Sequence, residues 1–116
     1  MKDYVAIGEH LGAGLEKLKR DAPGPMGAFT ALMEAATAPE TLTTKIKELI
    51  ALAIAVSLRC DGCIAHHAKS VLVAGASREE VRETVGVAIL MGGGPSVVYG
   101  IEAIEAFEQF KLRRDP

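Results

Sequence analysis

The sequence predicts an all-α protein: about six helices in a compact bundle, one subunit of a homo-oligomer. Three observations carry this. Apolar residues recur at helical spacing along most of the chain, and no stretch alternates convincingly as a strand would. Turn signals separate the periodic stretches. Apolar residues make up 49% of the chain, yet aromatics are only 4% and tryptophan is absent. A core of Ala, Val, Ile and Leu suits closely packed helices. The 116 residues are read as one domain, 1–116, with a modest core. A mean hydropathy of +0.23 is high for so short a chain. It predicts apolar surface buried between subunits.

The elements follow in order. Val5, Leu11, Leu15 and Leu18 mark the apolar stripe of a first helix, about residues 3–20. "DAPGPMG" breaks it. A second helix runs from about Pro25 to Thr37, with Met26, Phe29, Leu32 and Met33 as its apolar face. Thr43 or Thr44 can cap a third helix, about Thr44 to Arg59. Beyond Glu48 that helix is apolar nearly all round, which predicts burial on several sides. "CDG" interrupts the chain before a fourth helix, about Cys63 to Ala74, stopped by Gly75. Ser77 with Glu80 has the spacing of a capping box and opens a fifth helix, to about Met91. "GGGPS" is a turn. No strand precedes it and no Lys-Ser/Thr follows, so it is not a phosphate loop. A sixth helix spans about Pro95 to Lys111, with Val98, Ile101, Ile104 and Phe107 as its stripe.

Charge excludes some functions. The net charge is −2, with both signs mixed along the chain. A nucleic-acid binder needs a concentrated basic face, and none is present. The longest strongly apolar stretch, Leu49 to Leu58, is far short of the ~20 residues of a membrane span. "MKDYVAIGEHLGAG" does not read as a secretory signal. The expectation is a cytoplasmic protein. In that compartment a Cys pair points to redox or metal chemistry rather than to a structural disulfide.

Chemistry concentrates in "RCDGCIAHH", Arg59 to His67, which holds both cysteines and two of the three histidines. Zinc could use Cys60, Cys63 and His67, with His66 or Glu48 as fourth ligand. Yet structural zinc sites draw their second ligand pair from a distant segment. A c-type haem site needs His directly after the second Cys, where Ile64 stands. Redox chemistry fits better. A CxxC pair at a helix start closes a disulfide with little movement, and the N-terminal N–H groups stabilise a thiolate. His67 lies four residues after Cys63, on the same helix face, and can take the thiol proton. His66 is rotated about 100° away and reads as a packing or surface histidine. Glu48 is the candidate to hold the second ring nitrogen of His67, or else a solvated first-turn Glu. His10 has no constellation around it.

"ELIALAIAVSLRCDGCIAHHAKSVLVAGASREEV" resembles the alkylhydroperoxidase D-like branch of the carboxymuconolactone decarboxylase family. In that pattern a Glu precedes a CxxC by twelve residues, and a His follows the second Cys by four. Glu48, Cys60, Cys63 and His67 match every spacing. The resemblance extends through "GGGPSVVYGIEAIEAF" and covers about residues 42–110; residues 1–40 add little to it. It implies a helical subunit of a trimer or hexamer. It also implies a thiol peroxidase with no cofactor and no metal, acting on a peroxide and re-reduced by an external dithiol. Cys63 would attack the peroxide, Cys60 would resolve, and Glu48–His67 would relay protons. One departure is Gly62, where the best-known members carry a second relay His. The decarboxylase branch lacks the CxxC pair, which makes lactone decarboxylation the weaker expectation. A non-enzymatic redox switch or assembly module is the other alternative.

Geometry sets a condition. With a simple hairpin about residues 59–62, His67 would face residues 54–55, and Glu48 would lie about 9–10 Å further along. The pair can meet only if helix three bends or ends early, if helix four crosses it steeply, or if Glu48 comes from another subunit.

Overall fold

A computed structural model describes residues 1–116. It holds six helices and no strand: α1 (Tyr4–Asp21), α2 (Pro23–Thr37), α3 (Thr44–Leu58), α4 (Asp61–Val73), α5 (Arg78–Gly92) and α6 (Gly94–Arg114). No helix is long and apolar enough to cross a membrane.

Local chemistry sets most boundaries. The Asp3 carboxylate accepts from the Ala6 N–H and caps α1. Of the two threonines before α3, Thr43 is the cap, accepting from Ile46. The Ser77–Glu80 capping box forms in both directions at α5. α4 begins two residues earlier than the sequence suggested, because Cys60 takes the cap position and its sulfur accepts from the Cys63 N–H at 3.2 Å. One residue, Gly93 at φ 68°, separates α5 from α6. A Cβ would strain that conformation.

α4 is the central helix. It packs against α1, α3 and α6 and buries Ile64, Ala65, Ala68, Val71 and Leu72. α3, α5 and α6 complete the core, and α1 adds one fully buried residue, Tyr4. The lead-in helices therefore matter through an aromatic the sequence reading passed over.

Four expected faces are corrected. On α6, Val98 and Ile101 are both 56% exposed, and the buried row is Ser96, Gly100, Ala103, Ala106, Phe107 and Phe110. The cause is close approach: a Cβ on Gly100 would come within 2.5 Å of Val85 Cγ1. The first half of α6 docks through small residues while Val98 and Ile101 point outward; Phe107 and Phe110 enter the core further along. On α1, Leu18 is exposed, while Val5 packs on the core. α2 buries no residue, and Phe29 and Leu32 lie open. α3 was expected to be covered on several sides. It buries Glu48, Leu52, Ala55 and Val56 but exposes Ile46, Ile50, Ile54 and Leu58, one row at four-residue spacing.

Candidate active site

The turn between α3 and α4 places the site. The Cys60 N–H bonds to Ala55 O, and the Arg59 N–H bonds to Val56 O. This nested pair, around a left-handed residue, is a Schellman motif. Arg59 occupies the left-handed position at φ 54°, where glycine is usual. The motif folds Cys60 back beside Ala55, rather than placing it at the tip of a symmetric hairpin. From that level, Glu48 lies seven residues back along α3 and His67 seven residues on along α4. Each run is about 10 Å of helix, so the two side chains arrive level. His67 Nδ1 and Glu48 Oε2 stand 2.8 Å apart within one chain. The register of the turn, which the symmetric hairpin did not anticipate, brings the pair together without a second subunit.

Glu48 is only 5% exposed, which excludes the solvated first-turn reading. A buried carboxylate needs a partner, and the imidazole of His67 is that partner. A carboxylate only accepts, so Nδ1 donates to it, and in the neutral imidazole Nε2 then presents its lone pair. His67 shares the helix face of Cys63, one turn on. The two cysteines, both half-buried, are joined in a disulfide with Cα atoms 5.2 Å apart. Cys63 packs against the core and Cys60 does not. No three His, Cys, Asp or Glu side chains are grouped as a metal site would require.

His66 lies off this line. Its ring meets that of His67 edge-on, with centroids 4.8 Å apart. It lines a groove of about 660 Å³ between α1, α4 and α6, which neither cysteine nor His67 reaches. Burial, and then the neighbouring charge of His67, hold His66 below the ordinary histidine range. The native state thus resists protonation there. The stability His66 contributes is present above its unfolded value, about 6.5, and is lost as pH falls through the lower folded value. Denaturant midpoints at pH 7.5 and 5.5 should therefore converge in His66→Gln relative to wild type. Equal pH dependence in both proteins would refute this.

Gly62 faces α1: a Cβ there would lie 3.5 Å from Leu11 Cδ2. That is ordinary van der Waals contact, so a methyl fits. The sequence reading also missed the surroundings of Asp61, the first residue of α4. Its Oδ1 accepts from Lys2 Nζ at 3.0 Å and lies 3.2 Å from the Tyr4 hydroxyl. Glu102 of α6 lies 3.0 Å from the same hydroxyl and 2.7 Å from the same ammonium. A carboxylate between two cysteines was the available signal.

Fold and site together define an all-α protein in which a CxxC disulfide stands beside a buried Glu–His pair. The carboxymuconolactone decarboxylase family profile matches residues 23–106, and the chain belongs to that family. An uncharacterised protein of Cupriavidus necator is 41% identical over 86 residues, 74% of this chain and 76% of its own. One of Haemophilus influenzae is 38% identical over 105 residues, 90% of this chain and 93% of its own. A crystal structure of a carboxymuconolactone decarboxylase family protein from Legionella pneumophila superposes with a TM-score of 0.90. That protein is 44% identical, over 92% of this chain and 96% of its own. A Thermotoga maritima family member, for which a part in an antioxidative response has been suggested, gives 0.76 at 32% identity. The match covers 97% of this chain and 92% of the other.

Proposed function

We propose that this protein is a thiol-dependent peroxidase of the alkylhydroperoxidase D-like kind, reducing a peroxide at Cys63 without a cofactor. The observation that carries the reading is the Glu48–His67 hydrogen bond, one helical turn from a CxxC pair. The antioxidative role suggested for the Thermotoga relative points the same way. In the first step His67 Nε2 takes the Cys63 thiol proton. The thiolate attacks the O–O bond, giving a sulfenic acid and an alkoxide, which leaves as alcohol with the proton from the imidazolium. The Cys60 thiol then displaces water from the sulfenic acid, and the disulfide closes. An external dithiol attacks Cys60, restores both thiols and leaves as its own disulfide. A site re-reduced each cycle suits a reducing, cytoplasmic setting.

Peroxide consumption with several candidate dithiols should be measurable for wild type and abolished in Cys63→Ser. No consumption by wild type with any peroxide–dithiol pair would sink the reading. The open apolar row on α3, with Val87, Leu90, Met91, Val97, Val98 and Ile101 also exposed, supports the trimer or hexamer. Sedimentation at micromolar concentration that gave a compact monomer would exclude that assembly.

A further inference from the structure

Asp61 stands between Cys60 and Cys63 in the first turn of α4, where a negative charge opposes a thiolate. It is not left free. Two residues from the start of the chain converge on it: the Lys2 ammonium and the Tyr4 hydroxyl. Tyr4 is fully buried, and its N–H is bonded to Gln109 of α6 at 2.8 Å. Lys2 also lies over the Tyr99 ring, 5.0 Å from its centroid. The strap is thus held at several points, and its charges are fixed relative to α4. A phenol has one proton to give, so Tyr4 serves either Asp61 or Glu102 at a given moment. Lys2 bridges both. With the strap in place the cluster carries two carboxylates and one ammonium; without Lys2 it carries two unbalanced carboxylates.

We propose that Lys2 and Tyr4 are positioning residues that offset the charge of Asp61 and so keep the Cys60–Cys63 pair more thiolate-prone and more easily reduced. The inference rests on reading that pair as reactive, but its readouts need no peroxide turnover. Other titratable or charged groups on the surrounding elements are Glu48 on α3, Glu102 on α6, His66 and His67 on α4, and Arg59 in the turn. The strap is the part of this set that can be removed at an exposed residue, Lys2. The direction follows from charge alone. Stabilising the thiolate stabilises the reduced form and raises the reduction potential.

The test uses the whole protein and two measurements. One is the iodoacetamide rate of the reduced protein at neutral pH. The other is the equilibrium between protein disulfide and dithiothreitol, in which the protein gains two electrons and two protons as dithiothreitol closes its own disulfide. Lys2→Met should slow alkylation roughly two- to fivefold, as for one partly screened charge nearby, and Tyr4→Phe, which removes a hydrogen-bond donor but no charge, should slow it less. Each should shift the equilibrium toward the protein disulfide. Asp61→Asn should move both readouts the opposite way, and Asp61→Asn with Lys2→Met should fall between the two single variants. An Asp61→Asn effect in the same direction as that of Lys2→Met, or none, would overturn the proposal. So would variants that lose thermal stability while both readouts stay fixed, since that is the mark of a purely structural clamp.

Discussion

His67→Ala is expected to slow peroxide turnover by about 10²–10⁴-fold, the usual consequence of losing a positioned base. Gly62, which supplies no second relay imidazole, moves the expectation toward the lower end, because less proton transfer is there to lose. The same change should raise the effective pKa of the Cys63 thiol. Alkylation of the reduced protein then slows at neutral pH, and the difference disappears at a pH where the thiol ionises unaided. Glu48→Gln should act in the same direction, since the charge that stabilises the imidazolium is gone. The two changes should be clearly non-additive, because each removes half of one hydrogen bond. His66→Ala should do much less, because position 66 is rotated about 100° from the helix face that Cys63 and His67 share. Alkylation rate against pH, for the single and double variants, decides this. Equal effects at 66 and 67, or full additivity at 48 and 67, would remove the relay.

The second large effect is on stability. Tyr4→Ala should destabilise the fold by about 3–5 kcal/mol, as for other large aromatic truncations in a core. That is a large share of the total stability of a domain this size. Tyr4→Phe keeps the ring and should cost about 1–3 kcal/mol, the penalty of leaving a partner short of its donor. Denaturant midpoints at constant slope read both. A Tyr4→Ala loss below about 1 kcal/mol would mean that α1 is not anchored through this ring.

Much of this was legible from the chain. Glu48 joined the site through the family resemblance, whereas a cap at Thr43 or Thr44, the capping box at Ser77 and the cluster of Cys60, Cys63 and His67 follow from residue type and spacing. The outward face of α6 did not, because apolar periodicity weighs large side chains, and α6 docks through Gly100, Ala103 and Ala106. Tyr4 escaped notice because one aromatic in an amphipathic lead-in carries no periodic signal. The Glu48–His67 register was hidden by Arg59. A glycine at that position would have announced the left-handed turn; an arginine does not.

That turn has a consequence for how the sequence can drift. Nineteen positions separate Glu48 from His67, and their meeting depends on how many residues lie between, more than on which ones. Adding or deleting one residue in this span would slide a helix by about 1.5 Å and swing the side chains beyond it by about 100°. The imidazole would then leave the carboxylate. Substitution is constrained where a side chain enters the core, whereas length is constrained throughout. Between its acid and its base the chain works as a ruler, able to change its markings but not its measure.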